Sequence, residues 1–136
     1  MSLQILRPVT IKAKVTEGLK DRLAIEVREA LQLLDDELQQ LDTQVKRAQL
    51  TASMSPQQQV QLRQLVESER AKRADKKAQL LEESRAIATL PIGSEIVQGT
   101  AQSLATIDVG ADFDALTSIE IVVEDGKVIA IRQGAL

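Results

Sequence analysis

From Ala24 to Ala48 the apolar residues keep an unbroken 3-4-3-4-3-4-3 spacing: Ala24, Val27, Leu31, Leu34, Leu38, Leu41, Val45 and Ala48. This is a heptad seam, with Ala24, Leu31, Leu38 and Val45 at one seam position and Val27, Leu34, Leu41 and Ala48 at the other. No Gly or Pro interrupts it after Gly18. Thr16 is placed to cap a helix, with Glu17 in the first turn, where the helix dipole favours a negative charge. A first helix is therefore expected over about 17–49, and its apolar stripe demands a partner.

The partner follows at once. Ser55-Pro56-Gln57-Gln58 combines a capping Ser, Pro at the first helical position and Gln at the third, a capping box. The second helix is expected over about 56–88, because Pro91 disfavours the helical conformation at Leu90. Only TASMS separates the two, so they are expected to fold back as an antiparallel hairpin. Each helix would be about 50 Å long. A compact globule of this size is roughly 35–40 Å across, so an elongated chain is expected. With the turn centred near 53–54, Leu41 would face Val66, Leu34 would face Arg73 and Val27 would face Leu80.

The two ends carry strand signals. Val9, Ile11, Ala13 and Val15 alternate with Thr10, Lys12 and Lys14. Beyond Gly93, segments 95–98, 103–109, 119–124 and 127–132 are strand candidates. Asp125-Gly126 between the last two is a two-residue hairpin turn, which would pair Glu124 with Lys127, Val123 with Val128, Val122 with Ile129 and Ile121 with Ala130. Both faces of that hairpin are partly apolar, so both are expected to be covered. The expected fold class is α+β, a long antiparallel two-helix coiled-coil hairpin inserted in a small antiparallel β-domain or barrel. Its parts would be an N-terminal strand in 1–16, the helical hairpin in 17–89 and the β-domain in 90–136.

Composition narrows the chemistry. The chain has no Cys, His, Trp or Tyr, and Phe113 is its one aromatic. Thiolate chemistry, imidazole acid–base work and His/Cys metal sites are excluded, as is base stacking on an aromatic platform. There is no P-loop, GxSxG or GxGxxG. An enzyme is not expected, nor a cofactor or a small-molecule substrate; the alternative, a carboxylate-based enzyme, would require Asp108, Asp112 and Asp114 to converge in a pocket. Lys12 and Lys14 stand where a signal peptide would need an apolar run, and no stretch approaches 18 apolar residues. A cytoplasmic protein without membrane contact is the expectation.

Four features invite a function. Opposite the Leu seam the second helix offers only Ala71, Ala74 and Ala78 between Glu67 and Ala78. Leu31, Leu34, Leu38 and Leu41 are thus candidates for the contact of a homo-oligomer, unless Arg and Lys stems cover them. The run Arg70, Lys72, Arg73, Lys76 and Lys77 is a candidate nucleic-acid contact. Asp35, Asp36 and Glu37 lie almost opposite, so ordinary helix-pairing electrostatics competes with that reading. Asp108, Asp112 and Asp114 lack the spacing of a cation-binding loop and read as turn-capping residues. The hairpin tip, Gln49 to Gln59, is Gln-rich and uncharged, with Leu50 and Met54 expected to be exposed in a solvated turn.

The segment Leu90-Pro91-Ile92-Gly93-Ser94-Glu95, preceded by the helical stretch and followed by a terminal VVEDGKVIAIR hairpin, resembles the bacterial YlqD family. The resemblance covers nearly the whole chain, from VTIKAKVTEGLK to the β end. It implies no catalytic residue. Members are often encoded among ribosomal and RNA-maturation genes, so the resemblance implies the ribosome or RNA as a possible partner.

Overall fold

Alternation at the N-terminus yields β1 (Ser2–Lys14), and the heptad seam yields α1 (Glu17–Thr51). After the capping box comes α2 (Pro56–Thr89), then β2 (Glu95–Asp108), a short α3 (Phe113–Thr117), β3 (Ile119–Glu124) and β4 (Lys127–Gln133). This computed structural model describes residues 1–51 and 53–133. Ala52 in the predicted helix link and the last three residues of the predicted 90–136 segment lie outside the described residues. The chain divides into two units, Met1–Lys20 together with the chain from Leu90 onward, and Asp21–Thr89.

In the helical unit the sequence signals act locally as expected. The Ser55 amide donates to Gln58 Oε1 at 3.0 Å, and the Gln58 amide donates to Ser55 Oγ at 3.2 Å, a reciprocal capping box. The antiparallel pairing carries ion pairs from α2 to α1 that mark its register: Arg70 with Asp42, Arg73 with Glu37 at 3.3 Å and Lys77 with Asp35 at 3.5 Å. The expected facing register is corrected by about one helical turn. Lys77, not Arg73, lies beside the Leu34–Asp35 step, because this register brings the cations to the carboxylates. Val27, Leu34, Val66 and Ile87 form the buried seam.

The sheet unit departs from the sequence expectation. Its strand order is β2-β1-β3-β4, with β1 antiparallel to β2 but parallel to β3, and β3 antiparallel to β4. The sheet is therefore mixed rather than antiparallel, and open rather than a barrel. After β2 the α3 turn reverses the chain, so β3 runs parallel to β1 and takes its free side. The outer strands β2 and β4 share no ladder, and four strands are too few to close. One continuous β2 replaces the two predicted segments 95–98 and 103–109. Its polar, Gly-containing middle shows no alternation, yet it follows the β1 ladder across an irregularity at Ile11/Lys12.

The Asp125-Gly126 turn has positive φ at both residues, 49° and 82°, the geometry of a primed two-residue hairpin. Glu124 pairs with Lys127 and Val123 with Val128, as expected. An irregularity beside Val123 then moves Val122 onto Ala130 and Ile121 onto Ile131, correcting the predicted Val122–Ile129 and Ile121–Ala130 pairs. Within a single chain the expected cover of the hairpin faces is only partial. Val122 is fully buried, whereas Val128, Ile129 and Ile131 are exposed.

Thr16 ties the helix start to this turn. Its Oγ1 accepts from the Leu19 amide at 3.1 Å and donates to Asp125 Oδ1 at 2.7 Å. Thr16→Ala removes both bonds and is expected to lower stability by about 1 kcal/mol, read as a lower calorimetric melting temperature. On the other side of the helical insertion, Leu90–Ser94 forms a turn with Gly93 at φ 88°. The Gly93 amide donates to the Val15 carbonyl at 2.8 Å, and the Val15 amide donates to the Ser94 carbonyl at 2.7 Å. The LPIGS segment thus clamps the two strand ends between which the helices depart. Among the described residues of this unit, Val9, Ala13, Val15, Leu19 and Val122 are the buried apolar ones.

Candidate functional site

The α1 seam meets a half-polar surface on α2. Between the apolar Val66 and Leu80, the α2 residues withdrawn from solvent are Glu69, Arg73 and Lys77, while Ala71, Ala74 and Ala78 are exposed. The expected alanine lining is therefore corrected. The helix phase set by the ion pairs turns the alanines outward and lays charged side chains over the Leu seam. Leu34 is buried at 7% exposure, and Leu31, Leu38 and Leu41 are half-buried. Of the four predicted interface residues, Leu34 is thus occupied inside the chain.

The basic run is engaged in the same place. Arg73 donates from Nη1 to Glu69 Oε2 at 2.6 Å and from Nε to Glu37 Oε2 at 3.3 Å. Lys72 approaches Glu69 at 3.6 Å, Arg70 pairs with Asp42, Lys77 pairs with Asp35, and Lys76 is exposed. The Arg73 hydrogen bond, followed by the charge of Lys72, holds the Glu69 carboxyl below the ordinary glutamate value. The same hydrogen bond raises Arg73 above its ordinary value.

The three aspartates do not converge. Asp112 caps α3, its Oδ1 accepting from the Ala115 amide at 3.2 Å, and the Asp114 carbonyl accepts from the Thr117 and Ser118 hydroxyls. The Asp108 carbonyl accepts from the Ala111 amide at 3.0 Å, closing the turn before α3. All three are exposed, and no group of three metal-ligating side chains forms among the described residues. At the tip Leu50 is 86% exposed, but Met54 is only half-exposed. It lines a cleft of about 400 Å³ between the helices with Val45, Leu62 and Val66, rimmed by Gln49 and Gln59.

Two features of the sheet escaped sequence reading. The first is a charged network on the face carrying Lys12, Glu120, Val122 and Arg132. Lys12 pairs with Glu120 at 2.9 Å, and Arg132 joins Glu120 at 3.9 Å and Glu95 by a bidentate contact. Glu95 and Arg132 lie on opposite outer strands, which in a flat sheet would stand about 14 Å apart. Their contact requires the sheet to curl over this face, where Val122 is buried. Period-2 alternation places these residues on a face but cannot say which strands are neighbours. The second is the cross-strand pair Leu6–Leu104, with exposures of 64% and 67%.

The Arg132 hydrogen bond, with added charge from Lys12 and Lys14, holds Glu95 below the ordinary glutamate value. Both lowered glutamates stabilise the fold fully above the ordinary value of about 4.3, and that stabilisation is lost as the pH falls through the lower folded-state values. With no His in the chain, stability is expected to be flat from roughly pH 5.5 to 7 and to fall below pH 4.3. Calorimetric melts across pH 3–7 check this, and Glu69→Gln together with Glu95→Gln is expected to flatten the acid limb.

A four-stranded mixed sheet whose first two strands are separated by a long two-helix hairpin defines the class: a small α+β protein with a helical insertion in its first strand pair. Within that class, the chain belongs to the YlqD family, whose sequence model, described as YlqD protein, matches residues 3–132. It is 32% identical over 132 residues to the uncharacterized protein YlqD of Bacillus subtilis (strain 168), covering 96% of this chain and 99% of that relative. It is also similar, with a TM-score of 0.76 and 27% identity, to the crystal structure of an unknown-function protein from Synechococcus sp. WH 8102, covering 97% of this chain and 95% of that one. No described helix is long and apolar enough to cross a membrane.

Proposed function

We propose that this chain is a non-enzymatic protein–protein interaction protein that self-associates through the Leu-rich face of α1. The observation that supports this is the incomplete cover of the seam. Between Val66 and Leu80, α2 answers Leu31 and Leu38 with Glu69, Arg73 and Lys77, and both leucines stay half-exposed. Each such Leu forgoes on the order of 1 kcal/mol of burial that a second chain would supply. Leu31, Leu38 and Leu41 carry the contact in this reading, and Leu34 belongs to the hairpin itself. The ion pairs favour helix pairing over RNA contact as the role of Arg70, Lys72, Arg73 and Lys77.

Light scattering tests the reading. The wild-type chain is expected at a multiple of 14.9 kDa, and Leu31→Gln/Leu38→Gln is expected to lower that mass while the far-UV spectrum remains helical. A wild-type mass of one chain at every concentration rejects it. Ribonuclease-sensitive co-purification with ribosomal components, lost on removing the charges of Lys72 and Lys76, would favour the RNA reading instead.

A further inference from the structure

The two outer strands of the sheet are treated very differently. β4 is short, carries an irregularity beside Val123 and bears Lys127 and Arg132, the devices by which sheets keep their edges from pairing. β2 has 14 residues; its own irregularity lies beside Gly99, and beyond it, from Thr100 to Ile107, the strand is regular and contains no charge, no Pro and no Gly. Its inner side is paired with β1, and its outer side has no strand neighbour among the described residues. That leaves about 27 Å of unprotected edge with outward backbone donors and acceptors.

We propose that the outer edge of β2 pairs antiparallel with β2 of a second copy about a two-fold axis at Leu104, extending two four-stranded sheets into one of eight strands. The proposal goes beyond the helix-face reading above and names a second, independent surface.

Directly opposed residues in an antiparallel pair share a face. An axis at Leu104 sets Leu104 against its own copy, and Leu6 already pairs with Leu104 within the chain. The two exposed leucines and their copies then form one row of four across the new sheet, in which each Leu104 gains an aliphatic neighbour. The other pairings match as well: Gln102 meets Thr106, Ser103 meets Ala105, Ala101 meets Ile107 and Thr100 meets Asp108. No like charges meet, and the two copies of Asp108 stand about 27 Å apart. The segment is therefore neutral and complementary to itself. Main-chain hydrogen bonds supply the affinity in such strand addition, and the leucine row supplies the register.

The chain has no cysteine, so single-cysteine variants report the register cleanly. Under mild oxidation Leu104→Cys is expected to cross-link to twice 14.9 kDa. Val97→Cys, on the same strand but far from the axis, is expected to remain single. Leu104→Lys is expected to halve the solution mass with unchanged circular dichroism. Cross-linking of Leu104→Cys no greater than that of Val97→Cys overturns the proposal. So does an unchanged mass for Leu104→Lys, and if Leu31→Gln/Leu38→Gln then dissociates the assembly, the helix reading stands alone. A wild-type chain that is single at every concentration overturns both.

Discussion

Leu34→Ala is expected to destabilise the helical hairpin by about 2–4 kcal/mol, and Leu34→Asp to melt it. Leu34 lies at the centre of α1 with only 7% of its surface exposed. Few apolar groups share its burden, since the buried residues among those described in the hairpin are Val27, Leu34, Val66 and Ile87. Truncation leaves a cavity between two helices held by ion pairs rather than by a broad core. An aspartate there is a desolvated charge beside Asp35 and Glu37, so repulsion adds to burial. With no Trp or Tyr in the chain, the readout is far-UV circular dichroism. Leu33→Ala, at 60% exposure, should shift the melt by no more than about 0.5 kcal/mol. A Leu34→Asp variant that melts like the wild type would mean that α1 and α2 do not bury this residue against each other.

Val122→Ala is expected to cost about 2 kcal/mol in the sheet unit, from two lost methyl groups and the void they leave. Val122 has no exposed surface and shares its face with Lys12, Glu120, Arg132 and, across the curl, Glu95. Ile131→Ala is the matched control. It is a larger truncation in the same hairpin, but Ile131 is 73% exposed, so its loss should be within about 0.5 kcal/mol. Amide hydrogen exchange at Val9 and Val122 measures both. Equal effects would show that the curl does not protect Val122.

These two positions also mark what can be read from a chain without its structure. Leu34 is legible because a heptad seam is a local, repeated signal, and the capping groups Thr16 and Ser55 act within three residues of themselves. The Asp125-Gly126 turn is legible for the same reason, since two adjacent residues must both adopt positive φ. Val122 and Ile131 look alike in sequence, because alternation says which residues share a face but not whether anything covers it.

The candidate sites divide along the same line. The Asp112 side chain caps a turn as its type suggests, whereas Asp108 and Asp114 enter their turns through backbone carbonyls that any residue would supply. That Arg73 and Lys77, rather than Ala74 and Ala78, lie over the Leu seam depends on helix phase, which the ion pairs with Glu37 and Asp35 set across roughly 40 residues of chain. The exposed Leu6–Leu104 pair depends on a ladder between residues 98 positions apart.

By itself, the sequence determined the two helices, their caps, the terminal hairpin turn and the absence of thiol and imidazole chemistry. Each of these is decided by side chains within a few residues of one another or by composition alone. Only the tertiary structure decided the strand order β2-β1-β3-β4, the parallel β1–β3 pair, the open sheet with its Arg132–Glu95 clasp and the outer position of β2. Backbone hydrogen bonds are the same for every residue type, so which strands become neighbours is chosen by the packing of the whole unit.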